Sequence, residues 1–243
     1  MEIQFKATQS ELEGITCNPI PSSKAIPEWY KRMSTHSGEE YSNKEKLNYY
    51  SNFGELKGGM TIKKCLPVRD MITAGYIIPL WSDIAVFCDH KKEQLQFNWK
   101  YQNSLIETHS RYQVRNSPIE KMCWGNQAFK LMNPWRIYTP KGYSSLFISP
   151  KYHDNGFIEI LSGVVDTDEY HEVNLPFEYS GKEGRHVIPM GIPIAQVIPF
   201  KREEWSHNIE VLNETEEESH RLRLSSYLGG AYNKLFHKKK VFR

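Results

Sequence analysis

A chain of 243 residues is long enough to bury a full hydrophobic core, and its formal charge of +2, from 31 basic and 29 acidic side chains, supplies no global field for nucleic acid or an anionic membrane. Aromatic residues make up 13% of the sequence and 13 prolines punctuate it, a mixture that suits strands and tight connections better than a helical bundle. Cys17, Cys65, Cys88 and Cys123 are widely spaced, with no C-x-x-C pair and no histidine at finger spacing, so neither a structural zinc site nor a redox motif is indicated and four reduced thiols are expected.

In chain order, residues 1–59 read as an irregular N-terminal arm with one short helix. "CNPIPSSKAIPEWYKRM" places Pro27 where a first helical turn tolerates it, and Trp29, Tyr30 and Met33 follow close enough on that turn to dock it. The polar stretch "STHSGEEYSNKEKLNYYSNFGELKGG" reads as a loop or an arm. Residues 60–212 read as a β-rich core. "MTIKKCLPV", "YIIPLWSDIAVFCD", "EQLQFNWKY", "FKLMNPWRIYTP", "SSLFISP", "GFIEILSGVVD", "HEVNLPFEY" and "PIAQVIPF" alternate or run apolar between Pro, Gly, Asn and Asp. Eight such runs predict a mainly β fold, an antiparallel barrel or sandwich. Residues 213–243 read as a helical tail. Thr215 and Glu218 have capping-box spacing, and Leu224, Tyr227, Leu228, Ala231 and Leu235 share one helical face, with Gly229-Gly230 as a point of breakage. The closing "HKKKVFR" reads as a solvated basic helix end.

The chemistry centres on "SGVVDTDEYHEVNLPF", Ser162 to Phe177, where two acids follow an apolar strand. A carboxylate at the end of a buried strand suits a general base, since partial desolvation moves its pKa toward the working range. The competing reading is that Asp166 and Asp168 bond backbone amides in a turn. His153, His171 and His186 lie in or beside the β-rich region, but without H-x-H or H-x-D spacing they read as surface or hydrogen-bonded residues rather than metal ligands.

"TAGYIIPLWSDIAV", "TPKGYSSLFISP", "GVVDTDEYHEV" and "MGIPIAQVIPF", in that order between Thr73 and Phe200, resemble the successive motifs of the trimeric deoxyuridine triphosphatase and deoxycytidine triphosphate deaminase superfamily. The resemblance implies a β-clip fold and trimers with sites between subunits. It also implies that Asp166 positions an attacking water, that Ser144, Ser145 and Gln196 hold the nucleotide, and that Mg²⁺ bridges its phosphates. Two departures count against that chemistry. Tyr143 stands where the family has an arginine, with Lys141 the nearest cation in sequence, and Ile77 stands where it has an acid. Lys lacks the bidentate fork that Arg offers a phosphate.

A second resemblance runs from near Cys17 to the basic end. "IPSSKAIPEWYKRM" and "TIKKCLPVRDMITAGYIIPLWSDIAV" are similar to an uncharacterised family encoded by tailed bacteriophages, with Pro-Glu-Trp and Lys-Lys-Cys-x-Pro segments ahead of Gly-Tyr. It implies a phage gene product. The resulting expectation is a non-enzymatic protein without a cofactor that binds other protein subunits, as a homotrimer or among virion proteins, in a particle or its assembly. The alternative is a nucleotide-processing enzyme using Asp166 and Mg²⁺. No secretory signal or membrane-length apolar run is read in the sequence, which places synthesis in the host cytoplasm.

Overall fold

The computed structural model describes residues 1–35, 61–225 and 232–243, which form two compact units. One consists of Met1–Pro27, Ile72–Arg202 and Phe242–Arg243; the other of Glu28–Met71 and Glu203–Val241. The polar arm expected after Ser34 falls almost wholly outside the described residues, as do Tyr227, Leu228 and Ala231 of the C-terminal apolar face.

The first unit is built from strands. In chain order these are β1 (Gln4–Lys6), β2 (Ile20–Pro21), β3 (Tyr76–Pro79), β4 (Ile84–Asp89), β5 (Gln94–Trp99), β6 (Ile106–Ser110) and β7 (Gln127–Leu131). They continue with β8 (Arg136–Tyr138), β9 (Tyr143–Ile148), β10 (Ile158–Ile160), β11 (Gly163–Val165), β12 (Leu175–Tyr179), β13 (Gly184–Ile188) and β14 (Pro193–Lys201). The sheets run β11-β9-β14-β3-β2, β10-β12-β7-β6, β13-β4-β5 and β1-β8. Every pairing is antiparallel. The mainly β, antiparallel expectation therefore holds, and the sheets wrap one barrel-like core. Ile78, Val86, Leu131, Phe147, Ile158, Phe177, Ile188 and Val197, drawn from eight strands, meet in a single buried cluster. Phe97 bridges its aromatic part, with ring centroids 5.2 Å from Phe129 and 5.8 Å from Phe177. Edge contacts of this kind add to the burial of the rings themselves.

Several runs resolve more finely than the sequence predicts. "YIIPLWSDIAVFCD" is two strands, because Leu80 and Trp81 turn the chain into the core between β3 and β4, and "GFIEILSGVVD" divides into β10 and β11, which join different sheets. The first residues, read as irregular, contain β1 and β2, paired with β8 and β3. "MTIKKCLPV" is not a strand. Residues Ile62–Lys64 form a 3-10 turn and Leu66–Thr73 a helix, since Pro67 lies in the first helical turn, where its missing N–H costs nothing, and Val68 and Ile72 are one helical turn apart.

In the second unit a short helix at Glu28–Arg32 follows Pro27 and buries Tyr30, whose hydroxyl donates to the Lys63 carbonyl at 3.2 Å. The C-terminal helix, Glu214–Ser225, is capped by Asn213 rather than by Thr215. Its Oδ1 accepts from Glu216 N at 2.9 Å, as a helix start requires. The basic end is not merely solvated: Lys240 Nζ lies 2.5 Å and His237 Nε2 3.1 Å from an Asp70 carboxylate oxygen.

Candidate functional site

The site is assembled where β9 pairs with β14 on one side and β11 on the other. Ser144 lies opposite Phe200, Tyr143 opposite Lys201, and Ser145 opposite Val165. The residues just beyond these strand ends, Gly142, Asp166 and Arg202, therefore converge. Arg202 N donates to the Gly142 carbonyl at 2.8 Å, which extends the β9–β14 ladder by one step and fixes the stem of the arginine.

Successive strand residues face opposite ways, and Ser144 and Ser145 consequently enter two separate networks. On one side the Ser144 hydroxyl donates to Asp166 Oδ1 at 2.6 Å. Arg202 Nη1 stands 3.2 Å from both that hydroxyl oxygen and Asp166 Oδ1. The same guanidinium forks onto Asp168, with Nη1 2.7 Å from Oδ1 and Nη2 2.5 Å from Oδ2. Asp168 Oδ2 also accepts from Gly142 N at 2.8 Å. The Arg202 hydrogen bonds first, and the Gly142 amide after them, hold the Asp168 carboxyl below its usual 3.8, at about 2. Its side chain is only 2% exposed, whereas that of Asp166 is 61% exposed.

On the other side the Ser145 hydroxyl meets Thr167 Oγ1 at 2.8 Å, which in turn meets Thr139 Oγ1 at 2.8 Å. Ser145 and Thr167 are fully buried. Between the two networks runs a tight turn in which the Asp166 carbonyl accepts from Glu169 N and Tyr170 N.

The structure thus brings Ser144, Asp166 and Asp168 together and turns Ser145 away from them. Gln196 is elsewhere. It pairs with Ile148 and Ile77 in mid-sheet, four residues along β14 from Phe200, a distance of roughly 13 Å at strand rise, and its amide donates to the Ala74 carbonyl at 2.8 Å. Ile77 is buried in that same mid-sheet position. His171 stacks on Tyr138, His186 contacts the Tyr179 hydroxyl, and burial lowers the pKa of His153.

One premise of the sequence reading needs correction. The cation judged missing because Tyr143 replaces an arginine is present, supplied by Arg202 from the end of β14 rather than from β9. Lys141 is exposed beside it. Arg202 was missed because it is 58 positions from Ser144 and nothing local marks it. The signal available was the antiparallel pairing of "YSSLFIS" with "IAQVIPFKR", which brings the arginine opposite the residue before Tyr143. Chemically, the Nη1 and Nη2 donors of this guanidinium are already engaged with two carboxylates and the Ser144 hydroxyl of the protein itself.

No protein-family model matches the chain, and no curated protein matches it. Solved structures include a mutant dUTPase from phage phi11 of S. aureus, described for the coordination of a structural Mg(II) ion. It is 12% identical, the match covers 59% of this chain and 85% of that one, and the TM-score is 0.31. At that score the likeness is a partial overlap of backbones.

Proposed function

We propose that this protein works by binding protein subunits, a second copy of itself first of all, and not by turning over nucleotides. The observation that carries the reading is the segment 203–213. It has no helix or strand and every residue is exposed, yet it holds Trp205, Ile209, Val211 and Leu212, with Trp205 88% and Val211 98% exposed. Each such side chain gains about 1.5–3 kcal/mol on full burial, so a run of them in water is a surface awaiting a partner.

The pattern indicates how it docks. In an extended chain Trp205, His207, Ile209 and Val211 share one face and Glu204, Ser206, Asn208 and Glu210 the other. That is a strand without a sheet. Strand β13 is one of the two outer strands of β13-β4-β5, and an outer strand presents unpaired backbone groups that a further strand can complete. Across the face of this sheet lies an open groove of about 600 Å³ lined by Phe87, Asn98, Arg185 and Val187 among others. Val187 is exposed there, and the Arg185 guanidinium sits 5.8 Å from the Phe87 ring centroid. A strap from a second copy adding to β13 sets its apolar face on the side of the sheet that carries Phe87, Arg185 and Val187. With the tailed-phage resemblance, the reading becomes a self-assembling component of a particle or of its assembly.

The enzyme reading is weakened by the carboxylates that Arg202 already serves. Its remaining support is the exposed Asp166 carboxylate beside Ser144. Light scattering on the purified chain tests the proposal: an oligomer is expected, converted to monomer by combined Trp205→Ser, Ile209→Ser and Val211→Ser substitution with the circular dichroism unchanged. A monomeric wild type at micromolar concentration overturns it. A nucleotide at a hundred times its dissociation constant stabilises a fold by about 2.7 kcal/mol. No thermal shift is expected with deoxynucleoside triphosphates and Mg²⁺, and pyrophosphate release abolished by Asp166→Asn would establish the enzyme instead.

A further inference from the structure

Outside the Arg202 cluster, one group of side chains has the composition of a metal site. Cys88, His90 and Glu183 each place a ligand atom within 4.8 Å of the others, the only such group among the described residues. The topology accounts for it. Cys88 and His90 are two positions apart at the end of β4, so both side chains lean the same way. The antiparallel register sets Gly184 of β13 against Cys88, which brings Glu183, just before that strand, beside the end of β4. Finger-type spacing does not reveal this set, because its third member arrives through strand pairing 93 residues away.

We propose that Cys88, His90 and Glu183 bind a divalent zinc-class cation that clips the end of β4 to the start of β13. Thiolate, imidazole and carboxylate together are the borderline donor set that Zn²⁺ favours, and three protein ligands leave a fourth tetrahedral position for water. Zinc bond lengths put tetrahedral ligand atoms roughly 3.4–3.6 Å apart, so small rotations of His90 and Glu183 close the set. Both are exposed and offer the cation a path from solvent, while Cys88 forms the buried floor.

The surroundings already position the ligands. Glu183 Oε2 accepts from His90 N at 2.9 Å, the Trp124 ring lies 5.0 Å from the imidazole, and the Gly181 carbonyl is 3.2 Å from Nε2. These contacts hold the imidazole and the carboxylate side by side. Two nearby ammonium groups are directed elsewhere: Lys92 lies 3.5 Å from Asp89, and Lys182 lies over the Phe157 ring. Binding converts S–H to S–metal, with the proton released to solvent, so affinity rises with pH.

The test is titration of the chelator-stripped full chain with Zn²⁺ against a chromophoric competitor, and with Co²⁺ read through its thiolate charge-transfer band. One ion per chain is expected, with that band present. His90→Asn and Glu183→Gln, at exposed positions that leave the fold intact by circular dichroism, should each weaken binding at least roughly tenfold, the lower end of what losing even an outer-shell contact costs. Cys88→Ser should abolish the charge-transfer band. Absence of a stoichiometric site, or affinity unchanged in both His90→Asn and Glu183→Gln, overturns the proposal.

Discussion

Arg202 and Asp168 meet through both ends of their planar groups, Nη1 at 2.7 Å from Oδ1 and Nη2 at 2.5 Å from Oδ2, and the carboxylate is almost wholly enclosed. Two parallel charge-assisted bonds fix orientation as well as distance. An enclosed charge that loses its partner is far more costly than an exposed one. Arg202→Ala should therefore lower the melting temperature by at least about 5 °C. Arg202→Lys should recover only part of the loss, since an ammonium makes no planar fork. Differential scanning calorimetry of the two variants checks both, and equal stability of Arg202→Ala and wild type would show the pair to be idle.

The same pair sets an acid limit. The hydrogen bonds from Arg202 hold Asp168 at about 2 against a usual 3.8, and those from Arg136 hold Glu11 at about 2 against 4.5. In both cases the folded state holds the proton more weakly than the unfolded chain does. Their stabilisation is therefore complete above the unfolded values and is lost as pH falls from about 4.5 toward 2. Denaturant midpoints measured across that window should decline steeply in wild type and less steeply in Asp168→Asn. Parallel slopes would mean that Asp168 is not shifted.

The strands that sequence reveals best are those with both a pattern and a place in the core. β9, β12 and β14 each send apolar residues into the core, Phe147, Phe177 and Val197 among them, and are bounded by Gly, Pro or Asn. β13, "GRHVI", was missed because an outer strand with an alternating exposed face carries only weak apolar signal. The start of the Leu66–Thr73 helix was misread because Thr61 and Ile62 before the lysine pair and Val68 after it mimic a strand, while the decisive residue, Pro67, acts through helix-start geometry. Within the site, the Asp166–Thr167–Asp168 turn was legible as one of two alternatives, and Asp168 does accept a backbone amide. Arg202 and the Cys88–His90–Glu183 group were not legible, because register rather than local spacing brings their members together.

Gly75 occupies the "TAGYII" segment for a steric reason. Its φ is +65°, and a Cβ built there would stand 2.0 Å from the Val197 carbonyl oxygen of the adjacent strand. The position combines a left-handed backbone with a close approach that only glycine allows. Gly75→Ala should cost at least about 1 kcal/mol from backbone strain alone, with the β3–β14 pairing displaced as well. Urea unfolding measures it, and a loss below 1 kcal/mol, the low end of strain costs, would contradict the geometry.

Ser145 distinguishes a structural serine from a phosphate-binding one. Its hydroxyl ends a buried chain that runs through Thr167 to Thr139, each link 2.8 Å long. Removing it strands the middle hydroxyl with one partner fewer in a site closed to water, at a cost of about 1–3 kcal/mol. Ser145→Ala should therefore destabilise the fold by that amount. Thr167→Val, which removes the central link, should cost at least as much. Because the two residues share one hydrogen bond, the double variant should fall short of the sum of the singles. If Ser145 instead served a ligand, its substitution would leave stability untouched and the two effects would add; chemical denaturation of the four proteins in this cycle separates these outcomes.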